Sequence, residues 1–172
     1  MALLDIINVP DPMLKTKSTP VDVVDADTRK LLDVMLETMY DAPGIGLAAI
    51  QVAVAKRMIV MDTAGEDEEK RPQFFINPEV VWESDDVRTF SEGCLSVPEH
   101  YADVERPASV RVKYLDYDGN MQEDLMEGLD ATCIQHEIDH LNGVVFIDYL
   151  SRLKRNMIIK KVQKATKDSV VL

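Results

Sequence analysis

The stretch Gln135-His136-Glu137-Ile138-Asp139-His140 decides how the rest of this chain can be interpreted. In a helix with about 3.6 residues per turn, His136 and His140 lie one above the other on the same face, so both imidazoles can reach one metal ion. Glu137 then stands beside that ion, where a general base can accept a proton from water. A helix over residues 129–140 is favoured because this range contains neither Gly nor Pro.

This pattern alone does not establish a metal site, because two histidines four residues apart also occur as core or surface residues of amphipathic helices. Peptidases with an HExxH helix take a third ligand from a Glu or His further along the chain. No Glu or His follows His140, so a third ligand would have to come from upstream. By residue type, the candidates are Cys94, His100 and Cys133.

The three candidates differ in what their surroundings favour. Cys133 is on the same predicted helix but well along its axis, which favours a role in the pocket wall or the core. His100 follows Pro98-Glu99 in a predicted loop, where an exposed or hydrogen-bonding histidine is the plainer interpretation. Cys94 follows Gly93, which frees the backbone, and one thiolate with two imidazoles would leave a position open for water.

Length and composition predict one globular domain over residues 1–172, because 172 residues with 46% hydrophobic content can bury a sizeable core. No apolar run approaches the 18 or more residues of a membrane span, and the N-terminal start lacks the pattern of a signal peptide. Two cysteines give no disulfide framework, which fits a reducing compartment. We therefore expect a soluble, unexported protein, and the starting Met without an Arg- and Ser-rich leader favours the bacterial cytoplasm over an organelle.

The formal net charge of -12 argues against general nucleic-acid binding, which depends on dense Lys and Arg. The charge is unevenly distributed. Residues 151–172 hold seven basic side chains and one acidic one, a net charge of +6, which leaves -18 on residues 1–150. This basic C-terminal segment is either a docking surface for a partner or a solvated helix.

Hydrophobic periodicity predicts two further helices. After an irregular arm over residues 1–24, an amphipathic helix should begin at Asp27 or Thr28 and end at Tyr40. Ser151 should cap a last helix whose buried stripe consists of Leu153, Met157, Ile158 and Val162.

The middle of the chain is predicted to be antiparallel sheet. Short strands are expected at Met58–Met61 and Phe74–Ile76, the second ending at Asn77-Pro78. Residues 110–114 alternate in polarity, and Asp118-Gly119 predicts a hairpin turn into a strand over 121–126. After the HExxH helix, residues 144–149 are predicted to form a short apolar strand or bridge.

Three separated blocks together resemble the signature motifs of peptide deformylases. They are Gly44-Ile45-Gly46-Leu47-Ala48-Ala49 with Gln51, then Glu92-Gly93-Cys94-Leu95-Ser96, then Gln135-His136-Glu137-Ile138-Asp139-His140. Their order and approximate spacing are those of the family, and the likeness runs from Pro10-Asp11-Pro12 to Tyr149-Leu150-Ser151. The resemblance implies an α+β fold, in which antiparallel β-sheets surround a central HExxH-bearing helix and further helices lie near the N- and C-termini.

The resemblance also implies residue roles. Cys94, His136 and His140 would bind one divalent metal ion, which is Fe(II) in the cell, with Zn, Ni or Co also accepted. Glu137 would be the general base and acid, while the Gln51 side-chain amide and the Leu95 backbone N–H would stabilise the oxyanion. The substrate implied is an N-formyl-methionyl peptide of a nascent chain, and the products are formate and a free N-terminus.

The same resemblance suggests how substrate is held. The backbone of Gly44-Ile45-Gly46 would pair with the extended peptide beside Gly93, and Phe90, Leu129 and Cys133 would line the methionine pocket. Many relatives carry acidic residues where Ala42 and Pro43 stand and an Arg where Tyr101 stands, so the rim contacts are expected to differ. Ribosome docking through the basic C-terminal helix is a further hypothesis, and a solvated helix is its plainer alternative.

Two rival functions are compatible with part of this pattern. A metallopeptidase could use the same helix, although the downstream ligand is missing. A non-catalytic metal-binding or regulatory module could keep the ligands, although it would not need Glu137. For Gln51, the plainer interpretation is a structural amide that holds the glycine segment.

Overall fold

The computed structural model describes residues 2–171, with side chains described for residues 2–166. Three α-helices occur in this range: α1 (Ala26–Asp41), α2 (Gly128–Leu141) and α3 (Arg152–Val171). Lys167, which contributes to the predicted basic helix, has its side chain outside the described set.

Within residues 2–171, seven strands form two antiparallel sheets, and the α+β fold class predicted from the resemblance is confirmed. The strands are β1 (Gly46–Ala48), β2 (Met58–Met61), β3 (Gln73–Glu83), β4 (Val87–Cys94), β5 (Val97–Pro107), β6 (Ser109–Leu115) and β7 (Met121–Glu127). The larger sheet has the order β1-β2-β3-β6-β7, while β4 and β5 form a separate two-stranded hairpin. Strand β1 is therefore an edge strand.

The two faces of strand β2 explain how α1 and α2 pack on opposite sides of the larger sheet. All four of its side chains are buried, which follows from its continuous apolar sequence. Ile59 and Met61 pack into the core shared with α2, and Met58 and Val60 pack into the core shared with α1. Successive side chains of a strand point to opposite faces, so one strand separates the two helices.

Helix α1 matches its predicted pattern closely. It begins one to two residues earlier than expected, because Asp25 is the N-cap and its carboxylate accepts a hydrogen bond from Thr28 N at 2.9 Å. Leu32, Met35 and Met39 are buried, as the spacing of three and four predicts. The strand at Met58–Met61 and the Asp118-Gly119 hairpin are also confirmed.

Three local predictions are wrong. The strand at Phe74–Ile76 does not end at Asn77-Pro78 but continues through a bulge, with Asn77 at a φ of 52° and its side chain bonded to the Val21 backbone. His100 lies in β5 and not in a loop. Residues 146–149 form a 3-10 helix and not a strand, because the Asp148 carboxylate accepts a hydrogen bond from Val145 N and closes the turn.

The predicted stripe of α3 is partly wrong. Ser151 does cap this helix, since its Oγ accepts a hydrogen bond from Lys154 N at 3.2 Å. Val162 is buried, and Ile158 and Ile159 are partly buried against the same core, whereas Leu153 and Met157 are 73% and 49% exposed. Residues 158, 159 and 162 share one helical face, and only the packing against β5 and the 3-10 helix shows which face is covered.

Candidate active site

Helix α2 and the end of β4 bring three soft and borderline ligand groups together. The ligand atoms of Cys94, His136 and His140 all lie within 4.8 Å of one another, and Cys94 Sγ is 3.2 Å from His140 Nε2. Tetrahedral bonds of about 2.0–2.3 Å place ligand atoms about 3.5 Å apart. The donor set therefore fits a small divalent ion bound by one thiolate and two imidazoles.

The surroundings of the histidines support the same fit. His136 Nδ1 is 2.9 Å from Glu92 Oε1, so this nitrogen is engaged and Nε2 is the one left to bind a metal. Burial lowers the pKa of His140 well below its ordinary value, which favours the neutral imidazole that metals require. His140 is completely buried, and its Nδ1 has no hydrogen-bond partner among the described residues.

Glu137 is a buried carboxylate that faces this cluster and is not part of it. Its Oε1 has no hydrogen-bond partner within the described residues. Burial raises the pKa of Glu137 to about 7. A carboxylate with a pKa near neutrality can both accept and return a proton, which is what an acid–base catalyst must do.

The Gln51 side chain is held at both ends. Its Oε1 accepts a hydrogen bond from Ala48 N at 3.0 Å, which directs the NH₂ group toward β4. There Nε2 donates to Ser96 Oγ at 3.0 Å and lies 3.5 Å from Cys94 Sγ. The predicted structural and donor roles are thus both compatible with the geometry, because one end of the amide ties the strand and the other end points at the metal site.

A pocket of about 510 Å³ opens onto these groups. Its walls include the sequence-predicted substrate residues, the three acid–base and oxyanion candidates, two of the predicted metal ligands and several residues of the rim. In that order they are Gly44, Ile45, Gly46, Phe90, Gly93, Leu129, Cys133, Gln51, Leu95, Glu137, Cys94, His136, Pro43, Pro98, Glu99 and Tyr101. His100 is not in the metal-ligand cluster. Burial raises the pKa of Cys133, so this thiol stays protonated, as expected of a pocket-wall cysteine and not of a ligand.

Close backbone approach explains two of the glycines in the motifs. A Cβ on Gly46 would lie 2.6 Å from Glu137 Oε2 and 2.8 Å from Cys133 Sγ. A Cβ on Gly93 would lie 2.5 Å from the Tyr101 ring. The absence of side chains at these positions lets α2 pack against β1 and lets Tyr101 cover the hairpin.

The N-terminal arm forms backbone hydrogen bonds with the two segments that carry Gln51 and Cys94. Ile7 N donates to Gln51 O at 2.8 Å, and Val9 N donates to Ser96 O at 3.0 Å. The sequence predicts only an irregular arm lying on the domain. The structure shows that this arm joins the Gln51 segment to the Cys94 segment.

Sequence reasoning missed several polar residues around the site. Glu92, Ser96 and Asp139 lie within the motifs but have no predicted role, and neither Arg106 nor Tyr149 is predicted to have one. A charged residue inside an otherwise apolar, glycine-bearing block is a signal that could have identified Glu92. Arg106 has no such local signal, because its partners come from other strands and helices.

Comparison with known proteins agrees with this geometry. The model of the family described as polypeptide deformylase matches residues 3–156. The peptide deformylase of Phenylobacterium zucineum is 61% identical over 97% of this chain and 99% of that protein. That of Rhizobium meliloti is 58% identical over 97% and 96%.

The chain belongs to the polypeptide deformylase family.

Solved peptide deformylases share the fold as well as the sequence. The crystal structure of the Ehrlichia chaffeensis enzyme has a TM-score of 0.94 at 43% identity and covers 98% of this chain and 99% of that one. A second structure of the Ehrlichia enzyme, in complex with actinonin, has a TM-score of 0.92 at 46% identity and covers 96% and 98%.

Family membership determines the reaction. Peptide deformylases are metal-dependent hydrolases that remove the formyl group from the N-formylmethionine of nascent peptides, and this chain is such an enzyme. The Cys94, His136 and His140 cluster is a site where it could hold a metal ion. Among the described residues, no helix combines the length and apolar character needed to cross a membrane.

Proposed function

We propose that Cys94, His136 and His140 hold the metal of this deformylase and that Glu137 is its general base and acid. The convergence of one thiol and two imidazoles beside a buried carboxylate is the observation that carries the proposal. We further propose Fe(II) as the native metal, with Zn, Ni or Co as substitutes. The thiolate and imidazole donors suit all four of these ions.

The reaction adds water to the formyl carbon and breaks its bond to the peptide nitrogen. A divalent ion bound at this site would polarise the formyl oxygen and lower the pKa of water. Glu137 accepts a proton from the attacking water and then delivers it to the leaving amine. Gln51 Nε2 and the Leu95 backbone N–H donate to the oxygen on which negative charge develops. Formate and a free N-terminal amine are released.

The peptide is held by the edge of the larger sheet. Strand β1 pairs with β2 on one side only, so the backbone of Gly44-Ile45-Gly46 can pair with an extended substrate on the other side. Gly93 lies on the opposite wall of the pocket, where the absence of a side chain leaves room for the peptide. Phe90, Leu129 and Cys133 provide the apolar surface for the methionine side chain. We treat residues 1–172 as one catalytic domain, because α2 packs against both sheets.

Formate release from matched peptides tests the function. Formyl-Met, acetyl-Met and unblocked peptides of the same sequence are compared with anaerobically purified protein, whose metal content is measured in the same preparation. Only the formyl-Met peptide should release its blocking group at a high rate. Cleavage of internal peptide bonds would indicate a metallopeptidase instead, and full metal loading without turnover would indicate a binding module.

Replacing Gly46 with alanine should damage the site from the strand side. The new Cβ would meet Glu137 Oε2 and Cys133 Sγ at 2.6 and 2.8 Å, and both side chains lie on the packed helix α2. We expect a loss of about 1–3 kcal/mol in the free energy of unfolding and a fall of about 10²-fold in kcat/KM, because small displacements in a catalytic site have large costs. Urea unfolding and formate release measure the two effects.

Gly65→Ala is the matched control for Gly46→Ala. The three atoms nearest to a Cβ at Gly65 all belong to the exposed Glu68 side chain, the first at 3.1 Å, so stability and activity should be close to those of the unchanged protein. Equal losses of stability and activity in the two variants would mean that neither property depends on the close approach of Gly46 to α2.

We also propose that the enzyme works in the bacterial cytoplasm and docks on the ribosome through α3. The substrate is a nascent chain, and Lys154, Lys160, Lys161 and Lys164 are exposed on this helix, where they can contact phosphates. Truncation after Asn156 is a poor test, because it would remove Val162, which is 2% exposed and belongs to the core.

Charge removal tests docking without disturbing the core. Changing Lys160, Lys161 and Lys164 to Gln should weaken co-sedimentation with ribosomes by about tenfold or more at low salt. The slope of log affinity against log salt concentration should become less steep by about three. A control that removes the same charge elsewhere changes the exposed residues Lys17, Lys30 and Lys113 to Gln. Identical binding by both variants would contradict a docking role of α3.

A further inference from the structure

Four polar side chains outside the proposed catalytic set form a continuous hydrogen-bonded chain behind His136. We call Glu92, Arg106, Asp139 and Tyr149 the Arg106 network. Glu92 Oε1 lies 2.9 Å from His136 Nδ1. Arg106 donates to both oxygens of Glu92, at 2.7 and 3.0 Å. Its third contact is to Asp139 Oδ2 at 2.8 Å, and this oxygen also accepts the Tyr149 hydroxyl at 2.7 Å.

The network connects the two segments that carry the proposed ligands. Glu92 is on β4, two residues before Cys94, and Asp139 is on α2, next to His140. Arg106 lies on β5 between them. One guanidinium therefore bridges the Cys94 strand and the histidine helix. The planar group offers five donors in a rigid arrangement, which a lysine ammonium cannot reproduce.

Burial makes this bridge rigid. Glu92 and Arg106 are 3% and 6% exposed, so water cannot replace their mutual hydrogen bonds. Two hydrogen bonds from Arg106 hold the Glu92 carboxylate in the orientation in which its Oε1 lies 2.9 Å from His136 Nδ1. The Tyr149 ring also packs near the guanidinium, with Arg106 Cζ 5.1 Å from the ring centre.

We propose that Arg106 is a positioning residue of the metal site, and that Asp139 and Tyr149 hold Arg106 in place. The network sets the spacing between the Cys94 strand and α2, and it fixes the orientation of the His136 ring. The inference rests on the proposed function, because it assumes that Cys94, His136 and His140 bind the ion. Weakening the network should accelerate metal loss and lower kcat while KM stays unchanged.

The test uses the full chain loaded with Co(II), whose absorption spectrum reports thiolate and imidazole coordination. The variants are Arg106→Lys and Tyr149→Phe. The control is Tyr117→Phe, because the Tyr117 hydroxyl donates to Asp33 Oδ2 at 3.1 Å in a comparable tyrosine–aspartate pair outside the pocket. The rate of Co(II) transfer to a chelator, the spectrum, kcat, KM and the thermal unfolding temperature are measured for each.

Arg106→Lys should release Co(II) about 10–100 times faster than the unchanged protein, since outer-shell partners contribute this much to metal affinity. Tyr149→Phe removes one hydrogen bond and keeps the ring, so a roughly two- to tenfold faster release is expected. Both should alter the Co(II) spectrum, whereas Tyr117→Phe should leave release and spectrum unchanged. If Arg106→Lys does not fold, Tyr149→Phe alone decides, because Tyr149 is 53% exposed.

Two results would overturn the proposal. One is Co(II) release at the unchanged rate, with an unchanged spectrum, in Tyr149→Phe and in any folded Arg106→Lys protein. The other is equal acceleration in Tyr117→Phe, which would show a general loss of stability. A Cys94→Ala variant separates this failure from that of the proposed function, since an unchanged Co(II) spectrum in that variant would refute the ligand set itself.

Discussion

Glu137→Ala is expected to keep its metal and to lose about 10²–10⁴ in kcat, the usual contribution of a positioned general acid–base group. Glu137 lies outside the thiol–imidazole cluster, so its removal takes away no proposed ligand. Its Oε1 has no hydrogen-bond partner among the described residues, so the thermal unfolding temperature should not fall. Formate release under anaerobic conditions, with metal analysis of the same sample, measures both parts of this result.

Glu105→Ala is the control for this variant, because Glu105 is an exposed carboxylate on β5 outside the pocket lining. It should retain the activity of the unchanged protein. A Glu137→Ala enzyme with near-normal turnover would show that another group moves the proton. A Glu137→Ala protein without metal would show that the carboxylate holds the ion.

Cys94→Ala should lose both metal and activity. The thiol is the only proposed ligand outside α2, and it lies 3.2 Å from His140 Nε2. Two imidazoles from one helix are left without the thiolate that completes a three-ligand site. The loss of metal affinity should exceed the roughly 10–100-fold cost of removing an outer-shell partner. Metal content after dialysis and formate release after reloading measure the effect.

Cys133→Ala provides the matched control, since Cys133 is the other free thiol and also lines the pocket. This variant should keep its metal. A change in KM for formyl-Met peptides is expected instead, because the methionine pocket becomes wider. Metal retention by Cys94→Ala, or metal loss by Cys133→Ala, would show that Cys94 is wrongly assigned as the thiolate ligand.

Much of the local structure could be predicted because it depends on short-range rules. The spacing of Leu32, Met35 and Met39 determines which face of α1 is buried, and the helix begins at the Asp25 N-cap, one to two residues before the predicted start. The wrong predictions fall where distant contacts override such rules. Asn77 continues β3 through a bulge because its side chain bonds Val21, 56 residues away. Leu153 and Met157 remain exposed because the body of the protein covers another face of α3.

The sequence by itself determined that His136 and His140 share a helical face with Glu137 beside them, because the period of the helix depends only on local backbone geometry. It also supplied the three motifs that resemble the deformylase family. Only the tertiary structure decided that Cys94, 46 positions before His140, reaches the histidines, and that Arg106 joins their two segments. Strand pairing and core packing set those distances, and no short stretch of residues encodes them.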